Sequence, residues 1–153
     1  MPLQSQSQCE EPGNPQLAAE REGAARTLES RDITPTPQRI EIARILLARP
    51  QHLSAEQVLG ALKERRLAVS KATVYNTLGL FAEKGLVREV IVDPSKVFYD
   101  SNCSAHHHFY DVDSCTLTDI DASKVAIDGL PEVPAEKVVE RVDVIVRVRS
   151  RGE

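Results

Sequence analysis

The apolar positions of the chain follow one rhythm in its first two thirds and another in its last third. From Gln16 to Ser30, Leu17, Ala18, Ala24, Ala25 and Leu28 are spaced among charges as on one face of a helix. Thr34-Pro35-Thr36-Pro37 interrupts that pattern. Thr36 suits the cap of a second helix, because Pro37 at its first position has no N–H to lose. Ile40, Ala43 and Leu47 give this helix an apolar face. Ser54-Ala55-Glu56-Gln57 has the form of a capping box, and Val58, Leu59 and Leu62 follow it. Ser70 caps a further helix, KATVYNTLGLFAEKG, in which Val74, Leu78 and Phe81 recur on one side and Gly85 is the stop. Two apolar stretches, LVREVIV and VFYD, then flank Asp93-Pro94-Ser95-Lys96, which predicts a β-hairpin. Three short helices closed by a hairpin is the winged-helix order, and its third helix is the one that reads DNA.

Beyond the hairpin the period shortens. HHHFYDV and CTLTDID read as short strands, and Ser123 to Leu130 as a short helix. Glu140 to Arg149 alternates, with Val142, Val144, Val146 and Val148 on one face. Ile145 stands on the opposite face among charges, which suggests an edge covered by a partner. The expected fold is α+β: a winged-helix DNA-binding domain over 16–98, then a small α/β dimerisation and sensing domain over 99–153. Residues 1–15, MPLQSQSQCEEPGNP, are polar and Pro-containing and read as a disordered tail.

Charge sharpens this division. The chain carries a net charge of −4, but residues 31–92 hold ten Lys and Arg against six Asp and Glu. Residues 93–153 hold seven against twelve. A basic block beside an acidic one suits a DNA-facing module joined to a module that faces elsewhere. The three cysteines, Cys9, Cys103 and Cys115, form no CxxC pair, so a structural zinc site of four cysteines is excluded. An odd count without a signal peptide points to reduced thiols and a cytoplasmic protein. No apolar run approaches the roughly 20 residues of a membrane helix.

On the reading helix, Lys71, Thr73, Tyr75 and Asn76 are left for the outside, with Ser70 at its start. Asn pairs bidentately with adenine, Tyr and Thr reach phosphates or thymine methyls, and Lys neutralises phosphate. Arg39 and Arg44 are further candidates for phosphate contacts, and Lys96 at the hairpin tip for a minor groove. The other cluster is His106-His107-His108. On a strand His106 and His108 share one face and His107 takes the other. With His52, Asp100 and Asp119 they supply three imidazoles and two carboxylates, a donor set that suits Fe²⁺, Mn²⁺ or Zn²⁺. Three adjacent imidazoles also suit axial ligation of haem by His106, His107 or His108, with Phe109 and Tyr110 as surfaces for the porphyrin. A chance surface run of histidines is the plain alternative.

TPTPQRIEIARILLARPQHLSAEQVLGAL, followed by VSKATVYNTLGLFAEKGLVREV, resembles the ferric uptake regulator family, with HLSAE, TVYNTL and GLVRE as its strongest signatures. VFYDSNCSAHHHFY and LPEVPAEKVVERVDVIVRVR are similar to the iron response regulator branch of that family. The resemblance implies a dimeric transcription regulator that binds an A/T-rich inverted repeat and controls iron and haem metabolism. It implies a regulatory metal site at His52, Asp100, His106, His108 and Asp119, and a response to haem through the histidine run. It also marks departures: Asp111 and Ser114 stand where the family's first CxxC would be, and Arg141 where a further metal site has a histidine. Cys9 is followed by Glu10, so the Cys-Pro haem motif of some members is not formed.

Other classes fit less well. A metallohydrolase needs a general base and an open coordination position, and no HExxH, nucleophile elbow or phosphate loop occurs. A haem or metal store has no use for a capped reading helix and a wing. Regulators of the same fold that answer to manganese, zinc or peroxide remain alternatives.

Overall fold

The computed structural model describes residues 13–152, in two compact units that divide between Cys103 and Ser104. The tail expected over 1–15 lies outside the described residues as far as position 12. Asn14 already acts as a cap: its side chain accepts from the Gln16 N–H at 2.9 Å, and Pro15 opens helix α1, Pro15–Glu29. Thr36 caps α2, Pro37–Leu47, as its sequence requires. Both halves of the capping box form at the start of α3, Ala55–Glu64: Ser54 Oγ accepts from the Gln57 N–H, and Gln57 Oε1 accepts from the Ser54 N–H. Ser54→Ala leaves one of these donors unmatched and should cost about 1 kcal/mol, read as a shift in the urea midpoint.

Helix α4, Lys71–Glu83, begins at Ser70 and ends at Gly85, whose φ of +72° is open to glycine at little cost. The Leu86 N–H returns to the Phe81 carbonyl and the Gly85 N–H to that of Ala82, which closes the last turn and sends Leu86 and Val87 inward. Leu28, Ile42, Leu46, Val58, Leu62, Val74, Leu78 and Phe81, none measurably exposed, fill the space between the four helices. Strands β2, Arg88–Asp93, and β3, Lys96–Asp100, form the hairpin. Its turn is tighter than expected, since Asp93 pairs with Lys96 and only Pro94-Ser95 is left over. Asp93 Oδ1 holds that turn by accepting from both the N–H and the hydroxyl of Ser95. A third strand, β1, His52–Ser54, lies along the other side of β3, so the sheet order is β1-β3-β2. With three residues it was too short to show a period.

The second unit is a sheet of order β5-β4-β6, from β4, His106–Asp111, β5, Thr116–Asp121, and β6, Ile145–Val148. β5 runs antiparallel to β4, while β6 runs parallel to it and is shorter than the alternation over 140–149 predicted. The expected helix over 123–130 is absent. Only a single 3-10 turn forms, Ala122–Lys124, capped by Asp121. Gly129 at φ +74° and Pro131 close off the eight residues, which are too few to repay helix nucleation without packing. Among its described residues Tyr110 is the buried hydrophobic side chain, whereas Phe109, Leu130, Val138, Val139, Val146 and Val148 are exposed.

Candidate functional site

The metal candidates of the second unit come from one pair of strands. Alternation puts the rings of His106 and His108 on the same face of β4, 4.6 Å apart, edge to face. Asp119 lies directly opposite His108 on β5. The Nε2 atoms of both rings stand 3.5 Å from one oxygen, Asp119 Oδ1. Both imidazoles are nearly fully buried, and the carboxylate is half exposed. The Ser104 carbonyl lies 2.6 Å from His106 Nδ1 and can only accept, so this nitrogen carries the proton. In the neutral ring Nε2 therefore holds its lone pair towards Asp119. Such an outer-shell bond fixes both tautomer and orientation in metal-binding histidines. Ligand atoms from His106, His108 and Asp119 lie within 4.8 Å of one another. The donor set, two imidazoles and a carboxylate brought together on one pair of strands, fits a divalent ion.

In the first unit His52 and Asp100 are register partners across β1 and β3, with Nε2 and Oδ2 3.4 Å apart. Asp100 is wholly buried, and its Oδ1 accepts from the Asn102 N–H. A carboxylate so placed must be matched by hydrogen bonds or positive charge.

His107 does take the other face, but its chemistry differs from that expected. Its Nδ1 accepts from the Val144 N–H at 3.1 Å, so the neutral ring carries its proton on Nε2. Axial ligation through Nε2 would require that proton to leave, and ligation through Nδ1 would break the bond to Val144. Tyr110 is buried, with the Arg147 guanidinium 5.5 Å from its ring, and offers no face to a porphyrin. His107 and Tyr110, so placed, do not fit the haem reading.

The candidate DNA-contacting side chains lie mostly on α4. Ser70 Oγ accepts from the Thr73 N–H and donates to Thr73 Oγ1, so both residues hold the helix start. Lys71, Tyr75 and Asn76 are exposed, and Lys71 Nζ lies 5.8 Å over the Tyr75 ring. Arg39, Thr73, Asn76 and the buried Thr77 line a concavity of about 550 Å³ between α2 and α4. Arg39 reaches back to the Thr34 carbonyl, and Lys96 is exposed at the turn of the wing. Arg44 does not belong to this face. It is buried and paired with Glu41 at 2.6 Å and Glu20 at 2.9 Å, an internal tie between α1 and α2. The residue that sequence reasoning overlooked is Glu56. It lies inside the capping box, where Ser54 and Gln57 explained the motif without it, and it accepts from the Tyr75 hydroxyl at 2.6 Å. Its carboxyl is held below the usual range, first by that bond and then by its own backbone and the charges of Lys71 and Lys96.

The sequence pattern of the ferric uptake regulator family matches residues 30–145. The ferric uptake regulation protein of Synechococcus elongatus is 40% identical over 86 residues, covering 54% of this chain and 58% of that protein. The peroxide operon regulator of Bacillus subtilis is 35% identical over 91 residues, covering 60% of this chain and 63% of that protein. Each match leaves more than a third of the relative's length uncovered. Among solved structures, the ferric uptake regulator from Pseudomonas aeruginosa with manganese superposes with a TM-score of 0.64 at 22% identity, covering 84% of this chain and 98% of that one. That likeness is one of fold.

Proposed function

The chain belongs to the ferric uptake regulator family, and from that premise we propose that it is an iron-responsive transcriptional repressor that binds DNA as a homodimer. The observation that carries the metal response is the convergence of His106 and His108 on Asp119 at 3.5 Å. In this reading His106, His108 and Asp119 hold a divalent ion. Bound, the ion supplies the positive charge that makes this arrangement of donors favourable. Nitrogen and oxygen donors without thiolate suit Fe²⁺, as they also suit Mn²⁺ and Zn²⁺. The likeness to iron response regulators favours iron. An ion can shift DNA affinity only by its preference for the DNA-competent arrangement.

On the DNA side, Asn76 and Tyr75 meet base edges in the major groove, while Lys71, Arg39 and Lys96 neutralise phosphates. Ser70 and Thr73 hold the helix start. Two copies related by a two-fold axis would present two reading helices to an A/T-rich inverted repeat. The exposed Val146 and Val148 of the edge strand, with Phe109, offer apolar surface for such a pairing.

A gel-shift on promoter DNA with the apoprotein, and with Fe²⁺, Mn²⁺ or Zn²⁺ added singly, tests the proposal. Retardation that strengthens with Fe²⁺ supports it. Strengthening only with another ion reassigns the signal, and indifference to all three removes the metal response. Asn76→Ala is expected to weaken specific binding by about 1–3 kcal/mol for its lost base contact. Unchanged affinity and unchanged sequence preference would take Asn76 out of the interface.

A further inference from the structure

Glu56 is an anion in a face built to meet an anion. It lies in the first turn of α3, exposed, within reach of the charges of Lys71 and Lys96. General rules for a phosphate-binding surface exclude a carboxylate there, because it repels the backbone it approaches. Its partner suggests another use. The Tyr75 hydroxyl lies 2.6 Å from Glu56 Oε1, and an ionised carboxylate only accepts. The single phenolic proton of Tyr75 is therefore committed to Glu56. The same hydrogen bond raises the Tyr75 pKa and lowers that of Glu56, so both keep these protonation states at neutral pH.

We propose that Glu56 is a specificity-determining residue: by accepting the hydrogen bond of the Tyr75 hydroxyl it leaves the phenol oxygen an acceptor, so that Tyr75 reads an exocyclic amino group in the major groove. The inference rests on the reading of α4 as the DNA-facing helix. Its chemistry is restrictive. Adenine N6 and cytosine N4 are the amino donors displayed in that groove, whereas guanine N7 and O6 and thymine O4 accept. A tyrosine free to rotate its hydroxyl would satisfy either kind. Tied to Glu56, it satisfies only the first. The carboxylate beside it also repels phosphate oxygens, which turns Tyr75 from the backbone towards the bases. Lys71, over the ring, limits the swing of the side chain.

The test selects duplexes from a randomised pool with the full chain, as wild type, Tyr75→Phe, Glu56→Ala and Glu56→Gln. Glu56 and Tyr75 are exposed, so each variant should unfold at the same urea midpoint as wild type. The base pair whose preference vanishes in Tyr75→Phe carries one amino-bearing base, adenine or cytosine, and Tyr75 is expected to read that base. Replacing that base by purine or 2-pyrimidinone, which lack the amino group, should weaken wild type roughly tenfold. Glu56→Ala should tolerate the analogue and admit the reversed base pair there. Glu56→Gln, whose amide oxygen still accepts, should keep the wild-type preference. Undiminished binding of wild type to the analogue overturns the proposal. So does a Glu56→Ala pool identical to wild type, or a Tyr75→Phe pool that loses no preference. A wild-type chain that enriches no sequence removes the reading of α4 itself, and the proposal with it.

Discussion

A chain in which His106 and His108 are both replaced by alanine should hold no tightly bound divalent ion, and its DNA affinity should no longer respond to Fe²⁺. The two rings supply the only imidazole donors on this face of β4, and both aim Nε2 at Asp119 Oδ1 from 3.5 Å. Loss of an outer-shell partner alone typically costs 10–100-fold in metal affinity, so loss of two direct ligands should cost more than about a hundredfold. Elemental analysis after desalting would read the change as a fall from one ion per chain to none. Both side chains are buried, so alanine also opens a gap in the sheet face. The double glutamine variant keeps polar bulk there and serves as the second arm. One ion retained per chain in both variants would sink the assignment.

The second large effect concerns the tie between α1 and α2. Glu41 is buried and accepts from Arg21 Nε at 2.6 Å and from Arg44 Nη1 at 2.6 Å. Arg44 is buried as well, and it also pairs with the half-exposed Glu20. Glu41→Ala removes the only carboxylate of this group that is out of water, and leaves the Arg44 guanidinium to a partner at the surface. Breaking a buried pair from one side usually costs about 3–5 kcal/mol, and the surviving Glu20 contact places this case near 3. That is a large share of the roughly 5–15 kcal/mol that holds a domain folded. Urea denaturation followed by circular dichroism would show it. A loss below about 1 kcal/mol would mean that the network balances its own desolvation. A change in the salt dependence of DNA binding without a change in stability would return Arg44 to the DNA face.

Much of this was open to reading from the sequence, for identifiable reasons. Caps are local chemistry, so Thr36, Ser54 and Ser70 marked the helix starts, and Gly85 marked a stop that its positive φ bears out. Strict alternation put His106 and His108 on one side of β4 and His107 on the other. What failed was set by contacts distant along the chain. The proton on His107 depends on an N–H 37 residues away, which no local pattern announces. Arg44 looked like an exposed cation because Glu41 three residues before it does not by itself announce burial, and Glu20, with which it also pairs, is 24 residues off. β1 escaped notice because pairing with β3, rather than periodicity, makes it a strand. Glu56 was hidden by a motif that was complete without it.

The parallel pairing of β6 with β4 bears on the order of events as the chain is made. β4 and β5 are joined by a short connection and can zip together as soon as both have left the ribosome. β6 follows only after more than twenty further residues, and closing that long loop costs entropy before any ladder bond repays it. Until then the outer edge of the histidine strand is bare: the N–H groups of His108 and Val112 await the carbonyls of Val144 and Val148. A bare edge beside apolar side chains is a template for pairing with another chain. The nascent protein thus passes through an interval in which its histidine strand is open to the wrong neighbour, and the arrival of Val144 to Val148 both ends that hazard and fixes the His107 ring.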